Sequence, residues 1–166
     1  AGTRIMCDKM KDPFTMEGNP VCALPPTIDE EIYMRDRFKK GQHWHTVEGA
    51  FYFYYGGTHF LMYSGACYQN PTYFIGYAVA HGAEDEDLRK LKWTKQPDND
   101  SYEPLLRKNN LMEGTGHNSL IFEDGKCYIV YHGRDYGDID LEEDTRSSRI
   151  DELVIDGEKL SVSMIP

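Results

Sequence analysis

The sequence predicts an all-β fold assembled from repeated four-stranded antiparallel units. Three observations lead there: an internal repeat, a tight-turn signal at the same place in each copy, and a composition that favours strands. Of 166 residues, 12 are Tyr, 7 Phe and 15 Gly. Aromatic residues favour strands, and Gly favours the turns between them.

The repeat is ungapped. Gly57-Thr58-His59-Phe60-Leu61-Met62-Tyr63-Ser64-Gly65 aligns on Gly125-Lys126-Cys127-Tyr128-Ile129-Val130-Tyr131-His132-Gly133, an offset of 68 residues from Gly57 to Gly125. At the same offset Phe51–Tyr54 falls on Ser119–Phe122. Each copy reads as strand, turn, strand, with Gly56-Gly57 and Asp124-Gly125 as the turn dipeptides. Third strands follow at Tyr73–Val79 and Ser148–Ile155, and short fourth strands at Leu91–Thr94 and Lys159–Ser163. Four antiparallel strands in a repeat of this length make the blade of a β-propeller. Near the N-terminus, Arg4–Met10 reads as a third strand and Asn19–Leu24 as a fourth, without a preceding hairpin. The prediction is a single partial propeller domain over 1–166, of about two and a half four-stranded antiparallel blades. Residues 1–26 form an outer half blade, 27–44 a connection, 45–97 a full blade, and 98–166 a connection and the last blade. Within the first connection, Thr27–Lys40 carries Ile28, Ile32, Tyr33, Met34 and Phe38 among charges and reads as one or two helical turns.

Charge and cysteine content narrow the partners. Eighteen Lys and Arg oppose twenty-eight Asp and Glu, for a net charge of −10. A field of that sign repels phosphate backbones and anionic bilayers, which excludes nucleic acid and membrane as expected partners. No apolar run approaches the roughly 20 residues of a spanning helix, and Ala1-Gly2-Thr3-Arg4 does not open a signal-peptide pattern. Cys7, Cys22, Cys67 and Cys127 form no Cys-x-x-Cys pair, so they read as buried thiols suited to a reducing, cytoplasmic compartment rather than as a zinc site. The acidic stretches Asp85–Arg89 and Asp138–Asp144 read as solvated loops, without EF-hand spacing for calcium.

A partial ring leaves blade faces and strand edges open. The expected partner is therefore a second copy or a chain carrying the missing blades.

Several side chains could carry chemistry. First strands line the central channel of a propeller, and Val47-Glu48-Gly49-Ala50-Phe51 starts one. Near Trp44, Phe51 and several Tyr, the Glu48 carboxyl would be desolvated, which favours its protonated form, as a general acid requires. The alternative is a solvated Glu at a strand start. In the repeat, Glu48 falls beside Gly116 and Gly49 beside His117. His117, in Gly116-His117-Asn118-Ser119, would sit at the channel end of its blade, where it could orient substrate, hold water or ligate a metal; a structural histidine is the alternative. Arg134 closes Tyr131-His132-Gly133-Arg134, where it could bind a hydroxyl-rich or carboxylate ligand or form an ion pair with Asp135 or Asp151. Trp44, Tyr68 and Tyr73 could offer stacking platforms for a sugar face or serve packing.

These motifs, in this order, resemble glycoside hydrolase family 43. The resemblance rests on Val47-Glu48-Gly49, Tyr63-Ser64-Gly65, Ile75-Gly76-Tyr77-Ala78, Gly116-His117-Asn118-Ser119, Tyr131–Asp135, and Arg149–Leu153 followed by Asp156-Gly157. It covers nearly the whole chain. It implies a five-bladed propeller that hydrolyses arabinofuranosides, xylosides and related saccharides with inversion and requires no cofactor. It further implies Glu48 as general acid, Trp44, His117 and Arg134 as substrate-binding residues, and an axial calcium ion or water at His117. Ala50 stands where the family usually has Pro. The family's catalytic base and second aspartate come from earlier blades, which would precede Ala1. Asp8 and Asp12, in the outer half blade, are poor substitutes. An isolated chain is therefore expected to be inactive. The alternative is a non-catalytic carbohydrate-binding or interaction module. A fructan hydrolase or mannoside phosphorylase of the same structural clan fits the His117 and Arg134 motifs less well.

Overall fold

The structure, a computed structural model, describes residues 1–138, 140 and 143–163. Among the described residues, fourteen strands follow in chain order. β1 (Ile5–Cys7), β2 (Met10–Asp12), β3 (Thr15–Met16) and β4 (Val21–Leu24) come first. Then come β5 (Ile32–Met34), β6 (Trp44–His45), β7 (Val47–Tyr55), β8 (Thr58–Gly65), β9 (Phe74–Ala80) and β10 (Thr94–Lys95). The last are β11 (Met112–Glu123), β12 (Lys126–Asp135), β13 (Ser147–Asp156) and β14 (Lys159–Ser163). Two antiparallel four-stranded sheets, β7-β8-β9-β10 and β11-β12-β13-β14, are the predicted full blades, and the antiparallel β1–β4 pair is the half blade. The architecture is a partial propeller.

The turn chemistry decides where each blade begins. Tyr55 pairs with Thr58 and Glu123 with Lys126, so each first hairpin closes on two residues. Both central residues have positive φ in each: 57° and 90° at Gly56-Gly57, 49° and 76° at Asp124-Gly125. That backbone matches the right-handed twist of the flanking strands, and it is why Gly and Asp stand there.

β8 lies in the middle of the molecule, buried on both faces. Phe60 and Met62 join Ile75, Tyr77, Ile129, Tyr131 and Leu153 in the core between the two full blades. Leu61 and Tyr63 point the other way and pack with Ile5, Leu24, Val47 and Phe74 against the half blade. This explains the unbroken apolar run Phe60–Tyr63, since a strand buried on both sides does not alternate. In the last blade, Ile121, Ile150 and Val154 remain substantially exposed.

Some elements differ from the sequence reading. Thr27–Lys40 holds a single 3₁₀ turn at Asp29–Glu31 and then β5, which pairs with β6. Ile32, Tyr33 and Met34 thus serve a two-stranded sheet and not a helix, while Ile28 and Phe38 lie outside it. The expected strand Arg4–Met10 stops at Cys7, and Met10–Asp12 pairs instead with Thr15–Met16 in a separate hairpin. The fourth strand of the first full blade is Thr94–Lys95 rather than Leu91–Thr94, because Leu88–Lys90 forms a 3₁₀ turn just before it. Asp85–Arg89 is not simply solvated: Arg89 is mostly buried and bridges Asp87 to Glu17 and Asp8 of the half blade. Of the acidic stretch Asp138–Asp144, positions 139, 141 and 142 lie outside the described residues. All four cysteines are free thiols, but only Cys67 and Cys127 are buried; Cys7 and Cys22, on the short β1 and β4, are half-buried. Among the described residues no helix is long and apolar enough to cross a membrane.

Candidate active site

The site forms between the start of β7, where Glu48 is the second residue, and the middle of β11, where His117 is the sixth of 12 residues. The sequence expectation of His117 at the end of its blade is corrected by a strand that begins five residues earlier, at Met112. Glu48 pairs across the sheet with Ser64, and the register then shifts before Phe51 pairs with Met62. β11 shifts register on both sides of Gly116. The irregularities correspond: Gly49 has φ 61° and His117, 68 residues later, φ 47°. A glycine adopts that backbone freely. A histidine does so at a cost of order 1–3 kcal/mol, which surrounding structure must hold in place, and such strain gathers at functional sites. The backbone N–H of His117 donates to Ser64 Oγ at 2.8 Å, which fixes the strained residue. Gly49 leaves room for the imidazole, since a Cβ there would lie 3.2 Å from its ring carbons.

Tyr73, immediately before β9, joins the two blades. Its side chain is fully buried. Its hydroxyl donates to Glu48 Oε1 at 2.8 Å and lies 2.9 Å from His117 Nδ1. Burial, and then the neighbouring Glu48 charge, push this phenol well above the usual tyrosine value, so it keeps its proton. Its ring stacks on His132 at 5.8 Å and on His117 at 6.2 Å, and the two imidazoles stack at 5.9 Å. Both ring nitrogens of His132 are buried without a hydrogen-bond partner among the described residues. Burial, and then the Arg146 charge, lower its pKa to about 4, so it is neutral at pH 7.

The sequence-predicted site residues separate into two groups. Glu48 and His117 come together, half-buried and exposed respectively. Trp44 faces its own hairpin: the Arg37 guanidinium lies 4.4 Å over its ring and Phe38 meets it edge-on at 5.9 Å. Arg134 is buried, and its Nη2 donates to the carbonyls of Tyr68 at 3.1 Å and Asn70 at 3.5 Å. It thereby anchors the loop that leads to Tyr73. The aspartates proposed as its ion-pair partners have other partners: Arg149 bridges to Asp135 at 2.6 Å, and the Tyr131 hydroxyl donates to Asp151 at 2.6 Å. Tyr68 is covered by the Arg146 guanidinium at 4.8 Å. Tyr73 is no sugar platform, because its ring is buried and its hydroxyl is the active part.

The sequence reading missed the bridging role of Tyr73, and it missed Ser64 and His132. The repeat carries a signal for the last two. They occupy equivalent positions, 64 and 132, each a polar residue ending an otherwise apolar run on a second strand.

Chemically, the cluster holds one carboxylate clamped by a phenol beside one accessible imidazole. A calcium ion seeks six to eight oxygen ligands. Here His117 offers one nitrogen, and among the described residues no three His, Cys, Asp or Glu converge. Among the described residues the cluster thus offers one imidazole nitrogen, Nε2 of His117, to a water, a hydroxyl or a metal ion.

The chain matches the model of glycosyl hydrolases family 43 over residues 4–158. It is similar to the crystal structure of a thermostable family-43 glycoside hydrolase, with 31% identity and a TM-score of 0.72, covering 96% of this chain and 46% of that one. It is similar to an alpha-L-arabinofuranosidase from Lactobacillus brevis at 25% identity and a TM-score of 0.73, with the same coverage. An exo-1,5-alpha-L-arabinanase from a bovine ruminal metagenomic library shares the fold at 17% identity, a TM-score of 0.72 and coverage of 99% and 50%. The chain therefore spans about half the length of these structures. A comparison with curated protein sequences finds no match. With the ordered motifs, the two blades and a family match over nearly its full length, the chain belongs to glycosyl hydrolase family 43.

Proposed function

We propose that this chain supplies the acid half of a glycosidase site that hydrolyses arabinose- or xylose-containing saccharides with inversion of configuration. The observation that carries the reading is the placement of Glu48: at the head of an inner strand, with Oε1 held by Tyr73 and with His117 beside it. In this role Glu48 protonates the leaving-group oxygen. An inverting reaction also needs a second carboxylate, about 6.5–9.5 Å away, to activate water. Glu48 is the one carboxylate in the cluster among the described residues. The base is accordingly assigned to blades outside residues 1–166. His117 Nε2 holds a water or a sugar hydroxyl on the axis, and Arg134 acts through the loop it anchors. No cofactor enters the reaction.

One observation favours a second reading: a single carboxylate can bind a sugar without hydrolysing it. On that reading the chain is a carbohydrate-binding module.

The test is hydrolysis of aryl α-L-arabinofuranoside and aryl β-D-xyloside across a range of protein concentrations, with Glu48→Gln as control. Turnover that rises faster than protein concentration and disappears in Glu48→Gln supports an assembled site. Turnover that survives the substitution overturns the role of Glu48. Sugar binding by calorimetry, without turnover in either protein, favours the module.

A further inference from the structure

Glu48 and His117 do not bond to each other, yet both bond to one hydroxyl. A phenol has a single proton and oxygen lone pairs. Glu48 Oε1 accepts the Tyr73 proton at 2.8 Å, and it does so equally when the acid carries its own proton on Oε2. The contact of 2.9 Å to His117 Nδ1 must then run the other way, with Nδ1–H donating to the phenol oxygen. The direction of one bond dictates that of the next.

Ser64 also bonds to Tyr73, as a donor, and its own oxygen accepts the His117 N–H, so without Glu48 the acceptor left to the phenol is Nδ1. Tyr73 is fully buried, so an unpaired hydroxyl would carry a desolvation penalty. Its ring cannot swing away toward β11, because it lies directly over Gly116. His117 is held by its backbone bond to Ser64 in a conformation that histidine rarely adopts. Tyr73 and His117 are thus each positioned independently of the bond between them.

We infer that Tyr73 is a positioning residue that couples Glu48 to His117: it fixes the Glu48 carboxyl and sets the His117 proton on Nδ1, leaving the Nε2 lone pair free for a ligand. The inference deepens the acid role proposed for Glu48, but the proton position can be measured without any hydrolysis. When the carboxylate is removed, the Tyr73 proton turns to Nδ1, and the imidazole carries its own proton on Nε2 instead. The total number of protons on tyrosine and histidine is unchanged; one moves from Nδ1 to Nε2 through solvent. Glu48 thus determines the face that His117 presents to the axis, across a residue that touches no substrate.

The experiment is ¹⁵N spectroscopy of the histidine rings in the full chain, at neutral pH in metal-free buffer. In the unaltered protein His117 is expected as the Nδ1–H tautomer. In Glu48→Ala it is expected to change to Nε2–H, and in Tyr73→Phe it should lose the Nδ1–H form. Phe keeps the ring over Gly116, so the backbone amide spectrum and the His132 signals check that the fold persists. A proton on Nε2 in the unaltered protein overturns the inference whether or not either variant folds. So does a His117 tautomer that stays Nδ1–H in folded Glu48→Ala. The hydrolysis assay fails separately: an inactive chain with the expected tautomer change leaves the coupling standing, whereas turnover without it leaves only the acid role.

Discussion

The ring of Tyr73 occupies the space that a side chain on residue 116 would need, since a Cβ there would lie 1.9 Å from Tyr73 Cε1. Gly116 has no positive φ, so glycine is required there for close approach and not for backbone freedom. Gly116→Ala should destabilise the chain by about 1–3 kcal/mol or more, as overpacking does. It should also break the contact of Tyr73 with Glu48. A lower urea midpoint checks the first. A midpoint equal to that of the unaltered chain would show that the ring can yield.

His132 should give the fold a specific pH dependence. Its pKa is about 4 in the folded chain, against an ordinary value of 6.5. Between those values the unfolded chain binds more protons, so stability rises with pH. It is complete above about 6.5 and is lost as pH falls toward about 4. The charged groups facing the ring are Arg146, His117, Arg134 and Asp144, and their net effect adds to burial in opposing protonation. Urea unfolding from pH 4 to 7 should show this slope in the unaltered protein and a shallower one in His132→Phe.

Lys95 on β10 and Glu31 on the first connection form a buried ion pair at 2.5 Å. Lys95 also donates to Thr27 Oγ1, and Glu31 accepts the backbone N–H of Thr27 and Ile28. Burial lowers the Lys95 pKa, and the pairing with Glu31 opposes that shift. Lys95→Met alone leaves an uncompensated carboxylate and should cost about 3–5 kcal/mol. Replacing both residues with apolar ones of similar volume should cost much less. A double-mutant cycle in urea measures the difference.

Arg134 holds the carbonyls of Tyr68 and Asn70, and Gly114 leaves room for it: a Cβ at 114 would meet Nη2 at 2.5 Å. Arg134→Ala should therefore act on the loop before Tyr73 by removing hydrogen bonds from a charged donor, worth about 1.5–3 kcal/mol. Faster amide exchange across residues 68–73, with the core of β8 still protected, is the expected result. Unchanged exchange in that loop would return Arg134 to a direct ligand role.

The sequence by itself determined the blades. An ungapped repeat, two-residue turns of Gly-Gly and Asp-Gly, and apolar strand runs are local properties, and local chemistry specifies hairpins. It also placed Glu48 and His117 on inner strands, because the repeat aligns positions 49 and 117. The structure adds that both backbones, at 49 and 117, have positive φ, 61° and 47°, and that β11 starts five residues before His117. Only the tertiary structure decided what lies between them. Tyr73 reads in sequence as one more aromatic residue before a strand. Its hydroxyl meets Glu48, 25 positions away, when its own blade folds, and His117, 44 positions away, only when the two blades pack. The same holds for Trp44 and Arg134, whose partners come from a hairpin and a loop that the repeat does not encode. Periodicity records which face of a strand is buried. Which side chains meet across a blade interface depends on packing between segments far apart in the chain, and that information appears only when the sheets are assembled.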